Sequence, residues 1–324
     1  FVGDIAIDGE KIVAVGDVQG TAKREIDAQG MVVTPGWVDV HTHYDGQVSW
    51  DAQIAPSSHN GVTTVVMGNC GVGFAPVAPG AEQTLIELME GVEDIPGAAL
   101  HEGMDWGQWE TFAEYLDYIE GREYALDVGA QIAHGAVRFY AMGERGRLNE
   151  DATTDDLEAM GRIVAEALDA GAVGFSTSRT IGHRSLWGEP VPGTFAAEEE
   201  LFGIGRVLGE LGQGLFELAP AGVMGEDLAA PEKEVAWMRK LSAEIGRPVT
   251  FALSQHDIDK DQWKRVLELC SEAEQQGSRL RPQVGSRPGT LLIGHGTFHP
   301  FSFRPSYKAI AELPLPERVA KLRD

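Results

Sequence analysis

The chain has 324 residues, 43% of them hydrophobic, so it can bury the core of an enzyme-sized globular protein. Its 50 acidic and 26 basic residues give a formal net charge of −24, which would repel phosphate backbones and anionic lipid headgroups. These properties argue against nucleic acid and membranes as partners, and no stretch approaches the roughly 18 apolar residues that a membrane-spanning helix needs.

The cysteine content and the start of the chain bear on the cellular compartment. Cys70 and Cys270 are too few for a disulfide framework and suit a reducing cytosol. The first residues lack the basic and apolar regions of a secretory signal, so we predict a cytoplasmic protein. The chain begins at Phe1, inside a predicted strand, rather than at Met. We therefore expect that residues precede it in the complete protein.

Residues 1–34 predict a small β module. The run DIAIDGEKIVAVG indicates two short strands joined at Asp8-Gly9, a dipeptide typical of tight hairpin turns. A further strand is predicted near Met31–Thr34. We therefore place a partial N-terminal β module in residues 1–34 and a second domain in residues 35–324.

From Pro35 onward, short β-rich runs alternate with amphipathic segments, which is the pattern of βα units around a parallel sheet. Helices are predicted over residues 82–90, 109–119, 154–170, 197–211, 232–245 and 262–276, the third opening with the capping pattern TTDDLE. The predicted strands number seven and end near His41, Gly68, His134, Ser176, Leu218, Ser254 and Val284. Such a chain forms either an eight-stranded TIM barrel or a doubly wound open sheet.

The segment TPGWVDVHTHYD distinguishes these two folds. The residues after its strand are His, Thr and His, so the glycine fingerprint of dinucleotide-binding open sheets is absent. Residues i and i+2 of a strand point to the same face, so His41 and His43 direct both imidazoles into one cavity. We interpret the pair as part of a metal site, and two hydrogen-bonded structural histidines are the alternative.

The same segment carries a family resemblance, because PGWVDVHTHYD is similar to the first-strand signature of the amidohydrolase superfamily of metal-dependent hydrolases. The run WDAQIAPSSHNGVTTVVMGNCGVGFAPVAPG, with IAHGAVR and GFSTS after it, resembles the N-acyl-D-amino-acid deacylase (D-aminoacylase) branch. The resemblance implies an α/β fold with an incomplete TIM (β/α)8-type barrel of about seven of the eight strands. Part of a small β-sandwich module would precede that barrel.

The resemblance also implies a ligand role for Cys70, since a cysteine ending the second strand replaces the carboxylated lysine used elsewhere in the superfamily. A thiolate is a strong Zn²⁺ ligand, and sulfur with two imidazoles favours zinc. His41, His43 and Cys70 are therefore the candidate ligands of one zinc ion. The alternative role, a small buried hydrophobe, fits Cys270 better because Cys270 lies at apolar spacing in a predicted helix.

A second zinc ion depends on two further strand ends, where the branch is expected to supply histidines. The fifth strand ends with Glu217 and Leu218, and the sixth is followed by Gln255 and His256. Glu217 and His256 are the additional candidate ligands, although neither matches the expected pattern. The superfamily's catalytic aspartate ends the eighth strand, so we expect it beyond Asp324. No catalytic residue is therefore assigned within the chain. We expect the chain to be truncated at both ends and to be inactive on its own.

Substrate-binding candidates are taken from the ends of strands and the loops after them, where barrel enzymes build their sites. They are His134, Arg138, Ser176, Arg179 and His183. Arg138, Arg179 and Ser176 would bind a substrate carboxylate, and the alternative for each arginine is a solvated surface charge. His183 lies in a loop that contains Gly and Pro, and His134 has a structural hydrogen-bonded role as its alternative.

The function implied by the resemblance is zinc-dependent hydrolysis of the amide bond of N-acyl-D-amino acids, giving a carboxylate and a D-amino acid. The partner would be a small N-acylated substrate. One alternative is hydantoinase-like or dihydropyrimidinase-like ring opening, against which Cys70 argues because those enzymes use a carboxylated lysine. The other is an inactive barrel that acts as a binding or scaffold protein, which the missing histidine on the fifth strand favours.

Overall fold

A computed structural model describes residues 2–227, 229–285, 294–295, 299, 301–302 and 304–323. The chain divides into two compact units, residues 1–36 and residues 37–324. The first unit contains an antiparallel hairpin of β1 (Asp4–Asp8) and β2 (Lys11–Gly16), as predicted. Gly9 has a φ of 61°, a left-handed conformation that this tight turn requires.

The predicted strand near Met31–Thr34 is wrong. Residues 31–36 have no strand conformation, and the Met31 N–H closes a turn on the Ala28 carbonyl at 2.9 Å. A run of β-branched residues forms a strand only where a neighbouring strand completes its hydrogen bonds. Among the described residues of this unit, β1 and β2 pair only with each other.

The second unit is built on a parallel sheet whose strands lie in sequence order. Each of the six neighbouring pairs is parallel, as consecutive βα units require. The sheet curves so far that His41, just after its first strand, hydrogen-bonds Gln283 at the end of its last strand. This arrangement confirms the predicted seven strands of a TIM-type barrel. The strands are β3 (Trp37–Asp39), β4 (Val62–Met67), β5 (Asp127–Ala133), β6 (Gly174–Ser178), β7 (Leu215–Ala219), β8 (Val249–Ala252) and β9 (Leu280–Gln283).

The six predicted helices are present with slightly shifted ends, and the described residues form five further α-helices that were not predicted. One of these, α4, begins at His134 directly after β5, without an intervening loop. No helix in the described ranges is long and apolar enough to cross a membrane. The helices are α1 (Glu82–Glu93), α2 (Gly97–Gly103), α3 (Phe112–Glu120), α4 (His134–Met142), α5 (Glu144–Arg147), α6 (Thr154–Asp169), α7 (Glu198–Leu211), α8 (Ala230–Ile245), α9 (Gln262–Gln275), α10 (Pro305–Lys308) and α11 (Leu315–Arg323).

Capping residues determine where two of these helices begin. At α6, the Thr153 hydroxyl accepts the Asp156 N–H at 3.3 Å, and the Asp156 carboxylate accepts the Thr153 N–H at 2.8 Å. Thr111 and Glu114 form the same reciprocal box at α3. The helix predicted from residue 109 therefore begins at Phe112. Trp109 lies before the cap instead, where its indole N–H donates to the Phe74 carbonyl at 2.8 Å.

The core of the second unit lies between the sheet and the helices packed on it. Aromatic rings from successive elements form one contact series: Phe175 and Phe216 have centroids 5.2 Å apart, and Phe216 and Trp237 are 6.3 Å apart. Strand residues such as Val65 and Ile132 are fully buried in the same cluster. This packing fixes the strands, and with them the polar residues at their carboxyl ends.

Candidate metal centre

His41, His43 and Cys70 come together where β3 and β4 end. Their ligand atoms all lie within 4.8 Å of one another. His41 Nε2 is 3.1 Å from Cys70 Sγ, and the two imidazole centroids are 5.4 Å apart. Cys70 is buried and both histidines are half-buried. Throughout the described part of the chain, this is the only group of three or more His, Cys, Asp or Glu residues arranged to hold a metal ion.

The tautomer of His41 follows from its partner. Its Nδ1 lies 2.6 Å from the side-chain Oε1 of Gln283. An amide oxygen only accepts hydrogen bonds, so Nδ1 carries the proton and donates it. The lone pair of His41 is then on Nε2, the nitrogen that faces Cys70. This is the form in which an imidazole binds a metal ion.

Cys70 lies in a tight loop after β4 that later strands hold in place. Gly68, Cys70 and Gly71 have φ angles of 77°, 57° and 70°, and the left-handed conformation is strained for a residue with a Cβ. Glu217 Oε2 accepts the Cys70 N–H at 3.0 Å. Ser176 Oγ accepts the Gly71 N–H at 3.1 Å and donates to the Gly68 carbonyl at 2.5 Å. These bonds stabilise a conformation that directs the thiol toward the histidines.

Three carboxyl groups surround the cluster: those of Asp45 and Glu217 are buried, and that of Glu93 is half-buried. Burial raises the pKa of Asp45 to about 7. Burial and the nearby charge of Asp45 together raise the pKa of Glu93 to about 8. Burial, together with the charge of Glu93, raises the pKa of Glu217 to about 8. Burial and the same three carboxyls raise the pKa of the Cys70 thiol well above its usual value. The site therefore concentrates acidic groups whose deprotonated forms have little compensating positive charge.

This chemistry fits a bound divalent cation. Burial lowers the pKa of His41 and His43, so both imidazoles are neutral and able to bind a metal ion. A metal ion would also stabilise the deprotonated forms of the surrounding acidic groups. His43 Nδ1 and Glu217 Oε1 are buried atoms without a hydrogen-bond partner. Such orphaned polar atoms are costly unless a ligand satisfies them.

Glu217 and His256 are not members of the three-residue group. Glu217 Oε1 lies beside it, 3.7 Å from His41 Nδ1, while Oε2 is used by the Cys70 backbone. His256 lies after β8 and lines a small cavity with Pro220 and Phe251. The structure thus places Glu217 in contact with the cluster and His256 in a different cavity.

His134 and Arg138 form a buried network at the start of α4. His134 Nδ1 lies 2.8 Å from Thr177 Oγ1, and its Nε2 lies 2.8 Å from Glu200 Oε1. Arg138 Nη1 donates to both oxygens of Glu200, at 2.5 and 2.6 Å, and its Nη2 donates to the Glu150 carbonyl at 2.5 Å. Both side chains are almost fully buried, so their described contacts are internal to the fold.

The other predicted substrate residues have different surroundings. Ser176 is buried and holds the Cys70 loop, as described above. Arg179 donates to Glu234 Oε2 at 3.0 Å and to the Ala196 carbonyl at 2.9 Å. His183 is half-buried, and its Nδ1 lies 3.0 Å from Ser178 Oγ. Burial, with the nearby charge of His41, lowers the His183 pKa to about 4, so a neutral imidazole lies near the metal cluster.

Three residues around the cluster were missed in the sequence. Asp45 stands two residues after His43 in the HTHYD motif, and Gln283 ends β9, so a search of strand ends would have found both. Glu93 ends a helix and its Oε1 lies 3.2 Å from His43 Nε2. No strand-end pattern marks Glu93, so only the folded structure shows its contact.

A parallel, curled sheet with two histidines after its first strand and a cysteine after its second defines a TIM-barrel protein of the metal-binding hydrolase type. The sequence profile of the amidohydrolase family matches residues 24–324, and the chain belongs to that family. It is 33% identical over 175 residues to D-aminoacylase of Alcaligenes xylosoxydans xylosoxydans, covering 54% of the chain and 33% of that protein. N-acyl-D-glutamate deacylase of the same organism is 32% identical over 206 residues, which cover 63% of this chain and 37% of that protein.

Solved structures show the same similarity. The crystal structure of a D-aminoacylase described as defining a novel subset of amidohydrolases has a TM-score of 0.69 and 26% identity, covering 88% of this chain and 54% of that one. N-acyl-D-glutamate deacylase from Bordetella bronchiseptica, complexed with zinc and a phosphonate inhibitor, has a TM-score of 0.66 and 25% identity. That match covers 89% of this chain and 55% of the deacylase chain. The matches span about a third of the curated relatives and about half of the solved chains. The predicted family resemblance is confirmed.

Proposed function

We propose that this chain is the metal-binding part of a zinc-dependent enzyme that hydrolyses the amide bond of N-acyl-D-amino acids. The products would be a carboxylate and a D-amino acid. The observation that carries the proposal is the donor set of His41, His43 and Cys70, with ligand atoms within 4.8 Å of one another. The similarity to D-aminoacylase and to a zinc-bound N-acyl-D-glutamate deacylase supports the choice of metal and substrate class.

Each residue of the cluster has a defined task in this proposal. His41 through Nε2, His43 and the Cys70 thiolate would hold the zinc ion. A bound zinc ion supplies Lewis acidity and lowers the pKa of a coordinated water. Gln283 keeps the proton of His41 on Nδ1. Ser176 and Glu217 keep the Cys70 loop in its strained conformation, so the thiol stays directed at the histidines.

His183 is the residue we retain for substrate binding. It is a neutral imidazole near the metal cluster, and one ring nitrogen is held by Ser178. The other nitrogen is then available for one hydrogen bond to a polar substrate atom. The guanidinium groups of Arg138 and Arg179 already donate hydrogen bonds to Glu200, Glu234 and backbone carbonyls. Neither arginine is assigned to the substrate carboxylate for that reason.

Zinc binding is tested first. The purified chain is stripped with a chelator, reconstituted with zinc, and its metal content measured. We expect one zinc ion per chain, no stoichiometric zinc in the His41→Ala/His43→Ala double variant, and a large loss in Cys70→Ala. Cys270→Ala is the matched control, because Cys270 is the other buried cysteine and lies in α9. Full zinc retention in the double variant would refute the proposed ligands.

Substrate class is tested second, on the zinc-loaded enzyme of which this chain is the proposed metal-binding part, by measuring free amine released from N-acetyl-D-amino acids and from their L-enantiomers. We expect turnover of the D-enantiomers that is abolished in Cys70→Ala. Zinc binding with equal turnover of both enantiomers would overturn the substrate class. A wild-type protein that binds no zinc and releases no amine would instead support the scaffold alternative, which the missing histidine on the fifth barrel strand favours.

A further inference from the structure

Asn69 is a fully buried residue that directly precedes Cys70. Its amide nitrogen Nδ2 donates to the Thr42 carbonyl at 3.1 Å and to the Val66 carbonyl at 2.9 Å. Its Oδ1 accepts a hydrogen bond from Gln131 Nε2 at 2.7 Å. Only the nitrogen of an amide can donate to two carbonyls, so the orientation of the Asn69 side chain is fixed. One amide group thus joins three segments at the carboxyl end of the sheet.

The Thr42 carbonyl lies between the two histidines of the cluster. It belongs to the planar peptide group that joins Thr42 to His43, so holding this oxygen fixes the plane from which the His43 backbone continues. The ladder between β3 and β4 ends before this point. Beyond it, the N–H and the hydroxyl of Thr42 donate to the Val66 carbonyl at 3.0 and 2.7 Å. Within the described ranges, the hydrogen bond that the Thr42 carbonyl accepts comes from Asn69.

Asn69 also begins the turn that carries Cys70. The Val72 N–H donates to the Asn69 carbonyl at 3.2 Å, which closes a four-residue turn with Cys70 and Gly71 at its centre. Both central residues have positive φ angles, 57° and 70°, as in a type I′ turn. The side chain of Asn69 therefore connects this turn to the segment that carries the two histidines.

Gln131 holds the Asn69 side chain from the neighbouring strand. The pairing of β4 with β5 reaches Met67 and Ala130, and Gln131 is the next residue of β5. Its side chain is buried and donates to Asn69 Oδ1. Without that hydrogen bond, the Asn69 amide would be freer to turn away from the two carbonyls. Buried polar groups that satisfy one another form a connected network, so the loss of one member affects the others.

Resting on the proposed zinc centre, we infer that Asn69 is a positioning residue of that centre. Its hydrogen bonds reach neither an imidazole nor the thiol. They act on the backbone instead, by joining the peptide between Thr42 and His43 to the turn that carries Cys70. Asn69 thereby sets the separation of the histidine pair from the cysteine. Gln131 keeps Asn69 in the orientation that this role requires.

The test compares the Asn69→Ala, Gln131→Ala and Ser242→Ala variants of the chain. Ser242 is the matched control, because it is also a buried polar residue with two hydrogen bonds to the backbone. Its Oγ donates to the Arg247 carbonyl at 2.9 Å and accepts the Arg279 N–H at 2.8 Å. These two arginines precede β8 and β9, so the control lies at the opposite end of the strands from the cluster.

Three measurements are made on each variant. Zinc affinity is measured by competition with a chromophoric chelator. The cobalt-substituted proteins are examined by visible absorption, which reports the geometry of the ligand atoms. Thermal unfolding of the metal-free proteins measures the stability of each variant separately from its metal affinity.

We expect the zinc Kd of Asn69→Ala to rise by about 10- to 100-fold, with a changed cobalt spectrum. Gln131→Ala should raise the Kd by about tenfold, since Asn69 keeps its donors but loses its anchor. Metal-free Asn69→Ala and Ser242→Ala should both unfold at a lower temperature than wild type, because each substitution leaves buried polar groups unpaired. Ser242→Ala should nevertheless keep the wild-type zinc Kd and cobalt spectrum.

Two results would overturn the inference while leaving the zinc centre in place. A wild-type Kd and cobalt spectrum in Asn69→Ala would show that Asn69 does not position the ligands. An equal rise of the Kd in Ser242→Ala would show that zinc affinity follows overall stability alone. If Asn69→Ala does not fold, Gln131→Ala decides the question, and a wild-type Kd in that variant would refute the inference. A wild-type chain without zinc affinity would refute the proposed function itself, and the inference with it.

Discussion

Replacing Glu200 by Gln is expected to destabilise the chain at neutral pH and to have progressively less effect in acid. Glu200 lies in the first turn of α7 and is almost fully buried between His134 and Arg138. Its Oε1 lies 2.8 Å from His134 Nε2, and Arg138 Nη1 reaches both of its oxygens. Burial lowers the pKa of His134, so His134 is neutral at pH 7 and Arg138 supplies the positive charge.

The magnitude follows from the pKa of Glu200. Burial alone would raise it, but the hydrogen bonds and charges of His134 and Arg138 outweigh burial and lower it from 4.5 to about 2. A difference of this size corresponds to about 3 kcal/mol of folding free energy at neutral pH. Removing one partner of a buried ion pair costs a similar amount, about 3–5 kcal/mol, because the other charge is left unpaired.

The direction of the pH dependence follows from the lowered pKa. A carboxyl whose pKa is lower in the folded state stabilises the fold above its unfolded pKa, here about 4.5. That contribution is lost as the pH falls from about 4.5 toward 2. The gap in unfolding free energy between wild type and Glu200→Gln should therefore be constant near neutrality and narrow below pH 4.5.

The assay is urea unfolding of both proteins from pH 7 down to the lowest pH at which unfolding is cooperative. Glu199→Gln is the matched control, since Glu199 is the preceding residue of the same helix and is exposed. It should change the unfolding free energy by less than about 0.5 kcal/mol. Equal effects of the two substitutions, or a gap that does not narrow in acid, would refute the assignment of the network.

Three further predictions concern local geometry. Gly68→Ala should lower the unfolding free energy by about 2 kcal/mol or more, because the added Cβ would lie 2.1 Å from the Gln131 carbonyl oxygen. Gly80→Ala is its control, with a similar φ of 84° and nothing within 4 Å, and should cost about 1 kcal/mol. Thr153→Ala should cost about 1 kcal/mol through the lost cap of α6. Ser176→Ala should weaken zinc binding about tenfold without removing a ligand, because the Cys70 loop loses two hydrogen bonds.

Urea unfolding measures the first two predictions and chelator competition measures the third. Equal losses in the two glycine variants would show that the backbone contact at Gly68 relaxes freely. A Thr153→Ala variant as stable as wild type would show that water replaces the cap without cost. Unchanged zinc affinity in Ser176→Ala would show that Glu217 alone maintains the Cys70 loop.

Several parts of the fold were predictable because they depend on local patterns. The hairpin at Gly9 follows from a dipeptide that favours a left-handed turn. The capping pattern TTDDLE placed the start of α6 correctly, because Thr153 and Asp156 satisfy each other's backbone N–H groups. The parallel sheet followed from the alternation of strands and helices. The strand predicted near Met31–Thr34 was wrong because a strand needs a pairing partner, which the local sequence does not specify.

The start of α4 shows a different limit. His134 was assigned to the end of a strand, yet it is also the first residue of a helix, since β5 and α4 join without a loop. Its imidazole is consequently turned to Glu200, 66 positions away in the chain. A pattern of single residues cannot show which acid a buried histidine will meet.

For the candidate site, the sequence by itself determined which side chains share one end of the barrel. His41 and His43 have strand spacing and Cys70 follows the next strand, so parallel strands bring them to one edge. Only the tertiary structure decided what each ligand meets. Gln283, Glu217 and Glu93 reach the cluster from elements far along the chain, and their contacts depend on sheet curvature and helix packing. Those are set by the summed burial of many side chains, which no local spacing encodes.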